Sequence, residues 1–263
     1  MADATRRALV VGLGLIGGSI GIALRRRGWH VTYVDPAVAL TEARSRGAAD
    51  EKLDSIDQSS AGVTILATPV DVALRQIAGE LAPGDLVTSV CSVMAPLIAE
   101  ASKSKLRFVA GHPMAGSEER SVAAARADLF EGKRWFVHAG HDEPLVDDLV
   151  RDCGAILDPV DPIEHDRAVA VTSQLPQILS TALAALIERE GDELLRFAGG
   201  GLRTFLRLAG SDASVWAPVI AANRENLVRE AAALEAVARE IAAGDPRDAF
   251  ASAQRLWAKL REM

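Results

Sequence analysis

The chain has 263 residues, of which 49% are apolar and 25% charged, with a net charge of −7 and two cysteines. The length exceeds the ~100–150 residues of an ordinary single domain, so two unequal domains are expected. An acidic balance without a basic block argues against a nucleic-acid partner, two cysteines are too few for a disulfide framework or a zinc site, and no run approaches the ~18 apolar residues of a membrane span.

The N-terminus runs directly into a strand-like stretch with no signal-peptide pattern, so a cytoplasmic protein with reduced, buried thiols at Cys91 and Cys153 is expected. Short β-branched runs then alternate with helical patterns, the signature of βαβ units and a parallel sheet. Strands are expected at residues 8–12, 30–34, 63–68, 86–90 and 108–111, and helices at 17–27, 37–46, 72–80 and 95–102. Arg25-Arg26-Arg27 ends the first of these helices, where cations suit the helix dipole. A further strand pair is expected at 134–138 and 155–159. Asp158-Pro159-Val160-Asp161-Pro162 then reads as a domain boundary. From His165 onward strand signals stop. Helix starts fall at Ser211-Asp212, Asn223 and Asp245-Pro246, and Pro176 should kink the first helix. The stripe Leu227, Ala231, Leu234, Val237 and Ile241 keeps the 3- and 4-residue spacing of a buried helix face. The expected architecture is therefore α/β: a Rossmann-type doubly wound parallel sheet over residues 1–160, followed by an all-helical C-terminal domain over 161–263 that binds substrate and makes a homodimer.

Gly12-Leu13-Gly14-Leu15-Ile16-Gly17 follows a strand and opens a helix, the context that makes a Gly-rich turn a dinucleotide site. Gly12 allows the tight turn, Gly14 lets backbone approach a pyrophosphate, and Gly17 lets helix and strand pack closely. The second strand ends at Asp35, 18 residues after Gly17, where a carboxylate accepts hydrogen bonds from the ribose of NAD and repels the extra phosphate of NADP. The Arg triplet or Arg44 is the feature that leaves NADP open. Thr68 and Pro69, at a strand end, are placed to border the cofactor. Two more strand ends supply chemistry: Ser92 in Val90-Cys91-Ser92-Val93, and His112 in Gly111-His112-Pro113-Met114-Ala115-Gly116-Ser117-Glu118.

With these segments on the page, the sequence resembles the prephenate/arogenate dehydrogenase family. The resemblance rests on the GLGLIGGS-type turn and the HPMAGSE segment. It extends through Ala127-Asp128-Leu129-Phe130-Glu131-Gly132, His165-Asp166-Arg167, and Gly199-Gly200-Gly201-Leu202-Arg203 leading to Arg207 and Trp216. It implies an NAD-linked oxidative decarboxylation of prephenate to 4-hydroxyphenylpyruvate, or of arogenate to tyrosine, by a homodimer. Carried over position by position, it makes His112 the acceptor of a hydrogen bond from the substrate's ring hydroxyl, with Ser92 holding that hydroxyl and the imidazole in register. Arg207 becomes the clamp on the ring carboxylate, Trp216 borders the pocket, and Ser117 and Gly200 support its geometry. Where many members carry Ser-His-Leu-Pro-His, this chain has Ser173-Gln174-Leu175-Pro176-Gln177. Two substrate-facing imidazoles thus become neutral amides at Gln174 and Gln177, and the choice between prephenate and arogenate stays open.

The remaining histidines have simpler readings. His138 and His141 flank a strand exit without further ligands, so no metal is expected. His30 should cap a strand, and His165 should lie at the first turn of the second domain, near the site but outside it. Two other functions keep a place: a dinucleotide-binding protein without catalysis, and a β-hydroxyacid or imine reductase with a helical dimer domain.

Overall fold

The computed structural model describes residues 6–116, 119 and 121–262. Its first part lays down β1 (Arg7–Val11), α1 (Leu15–Arg26), β2 (His30–Val34), α2 (Leu40–Ser45), β3 (Glu51–Lys52), β4 (Val63–Leu66), α3 (Val70–Gly79), β5 (Leu86–Ser89), α4 (Ala95–Lys103) and β6 (Arg107–Val109). These strands form a six-stranded sheet in the order β3-β2-β1-β4-β5-β6, every pair parallel. Strand order reverses between β1 and β4, and in such sheets the crevice at that reversal binds ligands. Alternation along the central strands sorts them into two cores. Ala8, Val10 and Ile65 join one cluster, Leu9, Val11 and Leu66 the other. Both faces are covered, which is why β1 and β4 read as continuous apolar runs.

A second sheet follows, built from β7 (Gly111–Pro113), β8 (Arg134–His138) and β9 (Ile156–Val160), with α5 (Pro144–Asp152) between the last two. β7 and β8 are antiparallel, β8 and β9 parallel. The expected strand 108–111 is therefore two strands, broken at Ala110 and serving different sheets. The expected elements include neither β3, which is two residues long, nor α5. The latter had a signal in Pro144 at its first turn and in the spacing of Val146, Leu149 and Val150, all buried.

The helices that follow are α6 (Pro162–Val169), α7 (Leu175–Glu190), α8 (Gly200–Phe205), α9 (Ala213–Ala222), α10 (Arg224–Ala243) and α11 (Arg247–Arg261). A π-helical turn, Ala170–Gln174, joins α6 to α7. Pro176 lacks the N–H that would bond the carbonyl of Thr172, and the turn before it opens accordingly. The run Pro162–Glu190 is long and apolar enough to cross a membrane by length and composition, against the expectation that none is. Near its start it carries His165 and Asp166, both buried, and Asp166 is bonded to the first N–H groups of α4.

The chain divides into two compact units, one of residues through Val169 together with Ala209–Asn223, the other of Ala170–Leu208 with Arg224 onward. The sequence placed its boundary at 160. In the first unit Val219 and Ala222 of α9 pack against the cluster containing Val70, Ala73 and Ile77 of α3. In the second unit α10 buries Leu227 alone among its 20 residues and α11 buries none. The predicted stripe is thus not buried within one chain: Val237 and Ile241 remain exposed.

Candidate active site

The turn between β1 and α1 is shaped by backbone sterics. Gly12 adopts φ +90°, and a Cβ there would stand 2.7 Å from the Ala67 carbonyl oxygen; one at Gly17 would stand 2.0 Å from the Gly12 oxygen. The first is the left-handed region that glycine enters without strain, and the second is an overlap no side chain tolerates. Helix α1 starts without a side-chain cap, leaving its first N–H groups to point out of the turn. Leu13 and Leu15 are buried, so these positions face the crevice with backbone alone.

Asp35, at the end of β2, is tied into this turn. Its Oδ2 accepts from the Leu13 N–H at 2.8 Å and its Oδ1 from the Ala37 N–H at 2.8 Å. A carboxylate has about four lone-pair sites, so acceptor capacity remains for ribose hydroxyls while the acid also braces the phosphate turn. Arg25 and Arg44 are engaged elsewhere. Arg25 Nε donates to Asp50 Oδ1 at 2.9 Å, and Arg44 donates from Nε and NH2 to the Asp50 carbonyl. Burial by itself would raise the Asp50 carboxyl, but the Val31 N–H and Arg25 outweigh it and hold it below the usual range. Of the residues that left NADP open, Arg25 and Arg44 are therefore used structurally. Thr68 gives its hydroxyl to Gln76 Oε1 at 2.9 Å, and Pro69 stands at the cap of α3.

His112 lies on β7 and is partly buried. Its Nδ1 is 2.9 Å from Nε2 of His165, and His165 Nδ1 is 2.8 Å from Asp166 Oδ1. The expectation that His165 stays outside the site is corrected: it supports the candidate catalytic ring directly. Pro162 starting a helix after β9 gave a helical 3-residue spacing to His165, yet nothing local to that segment points to a residue 53 positions earlier. Burial, and then the neighbouring His165, push the His112 imidazole down to about 3, so it is neutral near pH 7. Ser92, between β5 and α4, makes no hydrogen bond to His112 among the described residues; the ring is held by His165 instead.

The other expected residues are distributed between the units. Trp216, on α9, belongs to the first and is partly exposed. Arg207 belongs to the second unit, lies in the short 3-10 turn Leu206–Gly210, and is exposed. Gly200 opens α8 with open space where a Cβ would stand. Gln174 and Gln177 are buried. Gln177 Nε2 donates to the Leu208 carbonyl at 2.8 Å and to Thr181 Oγ1 at 3.2 Å, so both amide hydrogens serve the second unit. Ser117 lies outside the described residues. His30 faces Asp50 at 3.6 Å and His141 faces Asp147 at 3.3 Å. Among the described residues no three His, Cys, Asp or Glu side chains are grouped to hold a metal ion.

A parallel sheet, a glycine turn at its reversal point, an acid braced against that turn and a neutral imidazole on β7 define a dinucleotide-binding oxidoreductase. Comparison with known proteins narrows the class. Residues 20–155 match the family description "Prephenate dehydrogenase, nucleotide-binding domain" and residues 161–246 match "Prephenate dehydrogenase, dimerization domain". A probable prephenate dehydrogenase of Streptomyces niveus is 32% identical over 91% of this chain and 71% of its own length. The prephenate dehydrogenase of Bacillus subtilis is 32% identical over 84% of this chain and 65% of its own length. Among solved structures, Aquifex aeolicus prephenate dehydrogenase in complex with hydroxyphenyl propionate and NAD+ is 26% identical. It superposes with a TM-score of 0.83, covering 97% of this chain and 96% of that one. The chain belongs to the prephenate/arogenate dehydrogenase family of NAD-dependent, decarboxylating oxidoreductases. It spans about two thirds of the length of these curated relatives.

Proposed function

We propose that this chain carries out the NAD-dependent oxidative decarboxylation of prephenate to 4-hydroxyphenylpyruvate, a step of tyrosine synthesis in the cytoplasm. The observation that carries the reading is the neutral His112 ring, bonded at Nδ1 by His165, which leaves Nε2 to meet a hydroxyl. NAD fits the turn on three counts: the space at Gly12 and Gly17 that a Cβ would fill, the uncapped start of α1, and the braced acid at Asp35. When bound, its nicotinamide takes the hydride.

His112 accepts the hydrogen bond of the ring hydroxyl and supports the electron density that the oxygen must supply as hydride leaves the adjacent carbon. A neutral imidazole does this near pH 7 without a metal, at a gain of roughly 10²–10⁴-fold. Arg207 holds the ring carboxylate through its planar fork and releases it as carbon dioxide departs and the ring becomes aromatic. Ser92 and Trp216 border the ring, with Ser117 and Gly200 supporting the pocket. The exposed apolar side chains of α10 and α11 support a homodimer through the C-terminal helices, and the free, buried Cys91 and Cys153 suit a reducing compartment.

Incubation with prephenate and NAD is expected to release NADH and carbon dioxide in equal amounts; NADH without carbon dioxide overturns the reading. Arogenate is the second substrate, favoured by Gln174 and Gln177, which bring no positive charge to the side-chain end. The ratio of kcat/KM for the two substrates decides, and a value strongly favouring arogenate reverses the order.

A further inference from the structure

A histidine accepts a hydrogen bond at one nitrogen only when its proton sits on the other, so the usefulness of His112 depends on what fixes its tautomer. The structure places a chain of groups behind it. His112 Nδ1 meets His165 Nε2 at 2.9 Å with the rings edge to face, centroids 5.1 Å apart. His165 Nδ1 meets Asp166 Oδ1 at 2.8 Å. The carboxylate in turn accepts from the backbone N–H of Met94 at 2.8 Å and of Ala95 at 2.9 Å, where α4 begins. Phe136 of β8 packs edge-on against the His165 ring, and Asn223 Nδ2 donates to the Asp166 carbonyl at 2.8 Å. His165 and Asp166 are each 3% exposed, so water does not compete for these bonds.

The direction of the chain follows from its far end. Two backbone N–H groups, of Met94 and Ala95, converge on the Asp166 carboxylate, and a carboxylate only accepts. His165 therefore carries its proton on Nδ1. An imidazole whose single proton sits on Nδ1 has a bare lone pair at Nε2, so the hydrogen between the two rings belongs to His112 Nδ1. We propose that His165 and Asp166 are positioning residues that fix His112 as its Nδ1–H tautomer, so that Nε2 is the acceptor presented to the substrate hydroxyl. The inference rests on the reading of His112 as that acceptor. It adds the reason the ring accepts rather than donates, and it gives α4 a part in the chemistry through Asp166.

Asp166→Asn is the sharpest variant. An amide NH2 facing His165 Nδ1 reverses the chain: His165 then carries its proton on Nε2 and donates to His112, whose own proton moves to the substrate side. Loss of the orienting carboxylate in a Ser-His-Asp arrangement acts through the wrong tautomer in the same way, at about 10⁴-fold in kcat. Nitrogen NMR of the imidazoles in the cofactor-free chain reads the tautomer without any turnover. In the unsubstituted chain His112 Nε2 is expected to give the signal of an unprotonated nitrogen, and in Asp166→Asn that of a protonated one. The kcat should fall by about 10²–10⁴-fold with NAD affinity unchanged. His165→Phe, which keeps a ring but no acceptor, should lose turnover comparably, while His165→Gln, whose Oε1 can accept from His112 Nδ1–H, should recover most of it. This pair carries the test if Asp166→Asn does not fold.

An unchanged His112 tautomer in Asp166→Asn or His165→Phe overturns the proposal, as does a His165→Gln variant no better than His165→Phe. Failure of the unsubstituted chain to oxidise prephenate or arogenate, with the tautomer set as described, counts instead against the functional reading.

Discussion

The two units of this chain solve the problem of burying apolar surface in different ways. In the first, side chains alternate along each central strand into two separate cores, and Leu9, Val10, Ile65 and Leu66 are wholly buried. In the second, long helices leave Phe250 62% and Trp257 64% exposed, and the apolar spacing of α10 is not used within the chain. At ~25 cal/mol per Å², a large aromatic left in water forgoes ~2 kcal/mol or more, a loss that a second surface would recover. The sheet unit buries its apolar side chains within the chain, and the helical unit leaves many of its own exposed.

Substitutions can break or sharpen that contrast. The largest effect is expected at Gly17. A Cβ there overlaps the Gly12 oxygen at 2.0 Å and crowds Val10, so Gly17→Ala should abolish measurable NAD binding by calorimetry and lower the melting temperature of the sheet unit. His112→Asn should reduce kcat by roughly 10²–10⁴-fold while NAD binding by calorimetry is retained. Turnover that persists would remove His112 from the chemistry and favour a different oxidoreductase, whereas a chain without turnover of either substrate would support a dinucleotide-binding protein.

Asp35→Ala removes a charge-assisted bond to the Leu13 N–H along with the proposed ribose contact. At about 1.5–3 kcal/mol, NAD affinity should weaken by roughly 10–100-fold, and discrimination against NADP should shrink. Trp257→Glu tests the helical unit, since a charge on its exposed apolar face should shift light scattering from dimer to monomer without altering the melting of the sheet unit. The smallest effect is expected at Gly200, where a Cβ meets open space. Gly200→Ala should change stability by no more than ~0.5 kcal/mol, and a large loss of turnover there would show that the position is crowded in the working enzyme.

Strands, helices and the cofactor turn were legible because each is a property of neighbouring residues. Short apolar, β-branched runs mark β1 and β4, the glycines mark the turn that follows β1, and Asp35 is placed by the length of one βαβ unit. Failures cluster where the chain breaks such patterns for a distant reason. The run 108–111 is divided because Ala110 is where the chain leaves one sheet for another, and α9 returns to the first unit although its sequence reads as one more helix among several. The stripe on α10 was recognised correctly as apolar, but periodicity tells which residues share a face and says nothing of what covers it.

Taken alone, then, the amino-acid sequence determined the parallel sheet, the glycine turn with its acid, and the segment that carries His112. It did so because backbone sterics and side-chain period act within a few residues. Only the tertiary structure decided that His165, 53 positions away, supports that imidazole, that Asp166 rests on the first N–H groups of α4, and that Arg25 and Arg44 are tied at Asp50. Those are contacts between side chains brought together by closure of the fold, and a hydrogen bond between two polar atoms leaves no periodic trace along the chain.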